Sequence, residues 1–124
     1  MEFRERKPIY LQIADHMFEN ILSGAWNEKD RVPSIREMAM EAEVNPNTVT
    51  RTYSHLQDQG IIYNQRGIGY FVAEDAAKRT RELLREEFIQ SELPYMFRRM
   101  EMLGIEPSDL DSLYRRWKTE EEAS

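Results

Sequence analysis

Between Pro8 and Gly24, Ile9, Ile13, Met17 and Ile21 recur every four residues, with Tyr10, Ala14, Phe18 and Leu22 beside them. This stripe predicts a helix with a broad apolar face, opened by Pro8 at its first position and stopped by Gly24. A loop follows through Trp26, Asp30 and Pro33. Ser34-Ile35-Arg36-Glu37 then has the form of a capping box, opening a short helix that turns Met38, Ala39 and Ala42 inward. Asn45-Pro46 supplies a second N-cap with proline behind it. Val49, Tyr53 and Leu56 form the buried stripe of that third helix, which Gly60 ends.

Beyond Gly60 the period changes from helical to alternating. Ile61-Ile62-Tyr63-Asn64 and Tyr70-Phe71-Val72 read as two strands, joined by a tip with two glycines, Gln65-Arg66-Gly67-Ile68-Gly69. Three helices and a hairpin, with a tight turn between the second and third helices, is the order of a winged helix-turn-helix. Residues 1–73 are therefore assigned to a winged helix-turn-helix DNA-binding domain. From Glu74 on the chain reads as charged helix carrying Leu84, Phe88, Ile89, Leu93, Phe97 and Met100 at three- and four-residue spacings. Pro94 falls inside this pattern and is expected to kink or break it, because it has no N–H for the carbonyl of Gln90. After Gly104 a last helix, starting near Pro107 or Ser108, carries Leu110, Leu113, Tyr114 and Trp117. The fold class is thus mainly α with a small β-hairpin, and residues 74–124 form a two-helix tail.

Composition narrows the chemistry. The 124 residues contain no cysteine, which excludes a thiol nucleophile, a disulfide scaffold and a Cys-ligated metal, and suits a reducing cytoplasm. No apolar run approaches a membrane span, and Met1-Glu2-Phe3-Arg4 has no signal-peptide core. His16 and His55 stand apart, with no metal-ligand spacing around either. Gly67-Ile68-Gly69 precedes a strand and is too short for a dinucleotide fingerprint. Neither catalytic residues nor a cofactor are expected, and no small-molecule effector is specified.

A net charge of −6 argues against a nucleic-acid partner until the acid is located. Within residues 44–72 the charged side chains are Arg51 and Arg66 against Asp58 alone, and the local field decides groove binding. With Val49, Tyr53 and Leu56 facing the core, a helical wheel turns Asn47, Arg51 and Ser54 directly outward, flanked by Thr48 and Thr50. Arginine can bond guanine in bidentate fashion, asparagine can do so to adenine, and threonine can serve base or phosphate. Ser34 and Arg36, at the start of the second helix, can anchor a phosphate; Arg66 at the hairpin tip can enter a minor groove.

Taken together, these residues resemble the GntR family of bacterial transcription regulators, in particular its short YtrA-type branch. The resemblance is carried by Pro8-Ile9-Tyr10-Leu11-Gln12-Ile13, Pro33-Ser34-Ile35-Arg36-Glu37-Met38-Ala39, Val44-Asn45-Pro46-Asn47-Thr48-Val49, and Gly67-Ile68-Gly69-Tyr70-Phe71-Val72. It implies a homodimeric repressor on double-stranded DNA, often acting on transporter genes. Arg36 would hold phosphate, Asn45 to Arg51 would read the major groove, and Gly67 would let the wing meet the minor groove. The chain departs from the family pattern at Glu28-Lys29, where Pro-Gly is common before Asp30-Arg31, and the reach of Arg31 to DNA depends on that loop.

The tail stripe (Leu84, Phe88, Leu93, Phe97, Met100, Leu110, Leu113, Tyr114 and Trp117) is more than two helices can bury on each other, and the winged domain has a core without it. It is expected to be a dimerisation element. Two other readings stay open at this point. One is a winged-helix module that binds a partner protein. The other is a metabolite sensor, for which two helices leave little room to form a pocket of ~300 Å³.

Overall fold

The computed structural model describes residues 7–124; the N-terminal stretch Met1-Glu2-Phe3-Arg4 lies outside them. The order is α1 (Ile9–Leu22), α2 (Ile35–Ala42), α3 (Pro46–Asp58), β1 (Ile62–Gln65), β2 (Gly69–Val72), α4 (Ala76–Glu87), a single π-helical turn (Phe88–Glu92), α5 (Leu93–Leu103) and α6 (Pro107–Ala123). Pro8 sits one position before α1 with extended backbone, and its carbonyl accepts the Leu11 and Gln12 amides. Ile13, Ala14, Met17, Phe18 and Ile21 are buried, whereas Ile9 is half-exposed at the open end of the stripe.

The predicted capping box closes as expected: Glu37 N–H donates to Ser34 Oγ at 3.1 Å and Ser34 N–H to Glu37 Oε1 at 2.9 Å. Met38 and Ala39 face inward, but Ala42 is exposed, because α2 ends there and the chain turns away through Glu43 in the left-handed region. The Val44 N–H returns to Ala39 O at 3.1 Å, which closes the helix end and leads directly into α3. Val49, Tyr53 and Leu56 are fully buried between α1 and α2, with Val32, Ile61, Ile62 and Val72 completing the core. Tyr53 also donates its hydroxyl to Pro33 O at 2.5 Å and meets Tyr70 edge-on at 4.9 Å.

β1 and β2 pair antiparallel with Tyr63 opposite Phe71 and Gln65 opposite Gly69. The tip is a tight turn closed by Ile68 N–H to Gln65 O at 2.9 Å, and Gly67 takes the positive φ of 78° that its third position requires. The α1–α2 loop adds a third edge that the sequence pattern does not announce. Arg31 bridges Phe71, with Val32 N–H donating to Tyr70 O and Val72 N–H to Asp30 O, both at 2.9 Å.

The chain divides into two compact units, one through Leu84 and one from Arg85 to Ser124. The winged core, expected to need nothing beyond residue 73, takes cover from the first turns of α4. Ala76 and Thr80 are buried there, and Leu83 and Leu84 pack against the core. Leu84 is therefore not part of a free tail stripe; it faces the winged unit because the i, i+4 spacing from Ala76 through Thr80 places it on the same face.

In the second unit the helix does not break at Pro94. It widens into the π turn immediately before, where Leu93 N–H reaches back five residues to Phe88 O, and α5 begins with proline in its first turn. Met100 is buried within this unit, beside the α5–α6 turn, and so is not free for a partner either. Phe97, Met100, Gly104, Ile105 and Pro107 line a groove of about 580 Å³ there, larger than two helices were expected to form. α6 starts at Pro107 with Asp109 accepting the Glu106 N–H at 2.9 Å, and no residue of it is buried.

Candidate nucleic-acid interface

The exposed side of α3 carries Asn47, Thr50, Arg51 and Ser54, with Thr48 half-buried at its margin, as the wheel predicts. How much of each side chain remains available depends on local hydrogen bonds. Asn45 caps α3: its Oδ1 accepts the Asn47 N–H at 2.8 Å, leaving the amide NH2 as its outward donor. The Thr50 hydroxyl donates to Pro46 O at 3.1 Å, so toward a ligand it offers an acceptor. The guanidinium of Arg51 lies over the ring of Tyr10, 3.9 Å from its centroid.

Phosphate capture at the start of α2 is narrower than the sequence pattern implies. The capping box occupies the Ser34 and Glu37 amides, leaving those of Ile35 and Arg36 at the helix end, with the exposed Arg36 side chain nearby. The carboxylate of Glu37 also stands there, held below the usual carboxylate range. The hydrogen bond from the Ser34 backbone does most of this, followed by the Ser34 hydroxyl, with a smaller pull from Arg31.

Arg31 is engaged with the wing. Its Nη2 donates to Ile68 O at 3.2 Å, and it passes close to Gly69, where a Cβ would come within 3.3 Å of its Nε. Arg66 and Gly67 are exposed at the tip, with open space around Gly67. The expected residues thus lie on three features, the start of α2, the outer face of α3 and the wing. Arg31 ties the wing to the α1–α2 loop.

Two residues escape the sequence reading. Thr52 is buried, and its hydroxyl donates to Tyr10 O at 2.8 Å and lies 3.1 Å from Thr48 O, so it joins α3 to α1. Tyr10, read as part of the apolar face of α1, is the platform under Arg51. Its wheel position beside the core stripe hides that second contact. Among the described residues no group of three or more His, Cys, Asp or Glu could hold a metal, and no helix is long and apolar enough to cross a membrane.

A three-helix core with a helix-turn-helix and a two-stranded wing has the architecture of a winged-helix DNA-binding domain. The family profile "Bacterial regulatory proteins, gntR family" matches residues 9–72, and the chain belongs to that family. It is 45% identical over 96 residues to the uncharacterized HTH-type transcriptional regulator YhcF of Bacillus subtilis, covering 72% of this chain and 78% of that protein. It is 42% identical over 73 residues to the HTH-type transcriptional repressor YtrA of the same organism, covering 59% of this chain and 56% of that one. Among solved structures, a GntR-family transcriptional regulator from Bacteroides thetaiotaomicron superposes with a TM-score of 0.79 at 41% identity, over 92% of this chain and 99% of that one. The DNA-binding domain of AraR, solved with its operator, superposes at 0.55 with 25% identity over 59% of this chain and 88% of that one.

Proposed function

We propose that the protein is a dimeric repressor that binds a pseudo-palindromic operator, with α3 in the major groove and the wing beside it. The observation that carries this reading is the α3 face: Asn47, Thr50, Arg51 and Ser54 are exposed together, with no acid before Asp58. Repression is the activity named for YtrA, and AraR is the relative seen on an operator. Arg36 holds phosphate, Asn45 and Thr48 border the reading face, and Arg66 with Gly67 meets the minor groove. Residues 74–124 form the tail. Its first turns brace the winged core, and Phe88, Leu93, Phe97, Leu110, Leu113, Tyr114 and Trp117 make the contact between copies. Transporter genes are the regulated class that the YtrA-type resemblance implies.

Selection of genomic DNA by the purified full chain, followed by affinity measurement over a salt series, tests this reading. A two-fold site and a slope of log affinity against log salt on the order of −3 to −6 for a dimer are expected. Arg51→Ala should relax preference at one position per half-site, whereas Arg36→Ala should weaken all sequences alike and flatten the slope by roughly one per subunit. Equal affinity for random and selected duplexes at ~150 mM salt contradicts the reading.

A further inference from the structure

Arg51 is the one arginine of α3, and it does not hang free in solvent. Its Cζ lies over the Tyr10 ring, 3.9 Å from the centroid and well within cation–π range. The ring holds the cation without using any of its five N–H donors in a hydrogen bond, so they stay available to an acceptor. The platform is itself anchored. The buried hydroxyl of Thr52, the residue next to Arg51, donates to the Tyr10 carbonyl at 2.8 Å, and His55, one turn further along α3, meets the Tyr10 ring edge-on at 6.2 Å. α1 therefore supplies a rigid aromatic surface at the point where the recognition helix carries its cation.

We propose that Tyr10 is a positioning residue for base recognition: it fixes the plane and direction of the Arg51 guanidinium, and thereby sets the base preference of α3, without touching DNA. This rests on the reading of α3 as the helix that enters the major groove. Without the ring, the long arginine side chain samples many rotamers and meets a wrong base nearly as well as the right one. The tyrosine hydroxyl plays no part in the argument, so phenylalanine should substitute fully while an aliphatic residue should not.

The test uses the full chain, its selected operator and single-base-pair variants of that operator in competition binding. Tyr10→Leu should lower discrimination at the base pair read by Arg51 by roughly two- to fivefold, the range a cation–π contact supports. The salt slope should stay unchanged, since no charge is altered, and Tyr10→Phe should retain the preference of the parent chain. In the free protein, ring-current shifts of the Arg51 side-chain protons should be present in the parent and in Tyr10→Phe and absent in Tyr10→Leu. Should Tyr10→Leu melt early, Tyr10→Met serves in its place, since the Thr52 bond goes to the backbone of residue 10 and survives either change. A uniform loss of affinity across all duplexes, or intact discrimination in Tyr10→Leu when Arg51→Ala abolishes it, overturns the proposal. If Arg51→Ala leaves every base preference intact, the reading of α3 is what fails, and the proposal falls with it.

Discussion

α3 and α6 carry equally regular apolar stripes, yet they end in opposite environments. In α3, Val49, Tyr53 and Leu56 are wholly withdrawn from solvent, and a hydroxyl on the same face, that of Thr52, is buried and hydrogen-bonded. In α6, Leu110 is only partly covered, while Tyr114 and Trp117 remain 60% and 52% exposed with their rings 5.8 Å apart. Periodicity states which face of a helix is apolar; it does not state where the complementary face lies. For α3 the partners are α1 and α2 of the same chain. For α6 most of the stripe is left open, and a second copy is the partner proposed above.

The sharpest way to break this comparison is to remove the tail at two different points. A chain ending at Leu84 keeps Ala76, Thr80, Leu83 and Leu84 on the winged core. It should stay folded, sediment as a monomer, and bind the full operator ~100-fold or more less tightly, because the second half-site is no longer held at about millimolar effective concentration. A chain ending at Ala73 loses that cover as well, and its stability should drop by on the order of 3 kcal/mol. Equal stability of the two truncations would show that α4 is dispensable to the core. A dimeric shorter chain would place the interface elsewhere.

Next in size is the stripe itself. Tyr114→Ala with Trp117→Ala should weaken self-association by about 2 kcal/mol or more, since exposed aromatic pairs dominate interface energetics. Because both side chains lie outside the winged core, unfolding of the first unit should be unchanged. Sedimentation over a concentration series reads the first effect, and denaturation followed by a probe in α1–α3 reads the second.

Most of what positions the interface was legible from short signals with one physical meaning. Ser34 with Glu37, Asn45 before Pro46 and Gly67 in the wing tip each satisfy a backbone need, and the need is local. The unread features depend on contacts distant in sequence. Arg31 pairs across the fold to Phe71 and Ile68, Tyr10 lies under Arg51, and Leu84 turns to the core of the winged unit. The π turn belongs to the same group. Proline announces a missing donor, but it does not state whether the helix kinks, stops or widens.

Within the winged unit, Tyr53 tests whether its core is held by polar contacts as well as burial. Tyr53→Phe keeps the ring and strands the Pro33 carbonyl, for an expected loss of about 1 kcal/mol. Burial, with smaller contributions from Glu41 and Glu37, pushes the phenol pKa upward, so the folded state holds the neutral hydroxyl. The sign follows: the contribution is complete below about pH 10, where the unfolded phenol is neutral, and is lost as pH rises and the unfolded chain ionises. The stability advantage over Tyr53→Phe should therefore shrink above pH 10 in urea titrations; an advantage that grows there would reverse the assignment.

The smallest effect concerns the loop where this chain departs from its family. Asn27 to Asp30 form a tight turn, closed by Asp30 N–H to Asn27 O at 3.0 Å and braced by the Asn27 N–H on Asp30 Oδ2 at 2.8 Å. Lys29, at its third position, takes φ 71°, and Glu28 stands at the second. Those are the two places of a type II turn that favour Gly and Pro, which is why a Pro-Gly pair suits them. The turn forms here without either residue because its far side is fixed to the wing, with Lys29 N–H donating to Val72 O at 2.7 Å and Val72 N–H to Asp30 O. The side chain of Lys29 works against that geometry, at ~1 kcal/mol for a non-glycine residue in the left-handed region. Lys29→Gly should stabilise the winged unit by about 0.5 kcal/mol, the relief being partly offset by the extra freedom glycine has when unfolded. Glu28→Pro should add about as much, by restricting the unfolded chain at the second place of a type II turn, which proline favours. Both should leave self-association untouched, since the tail takes no part in this turn. A urea midpoint that falls on Lys29→Gly would mean that the lysine side chain contributes a contact outweighing its backbone strain.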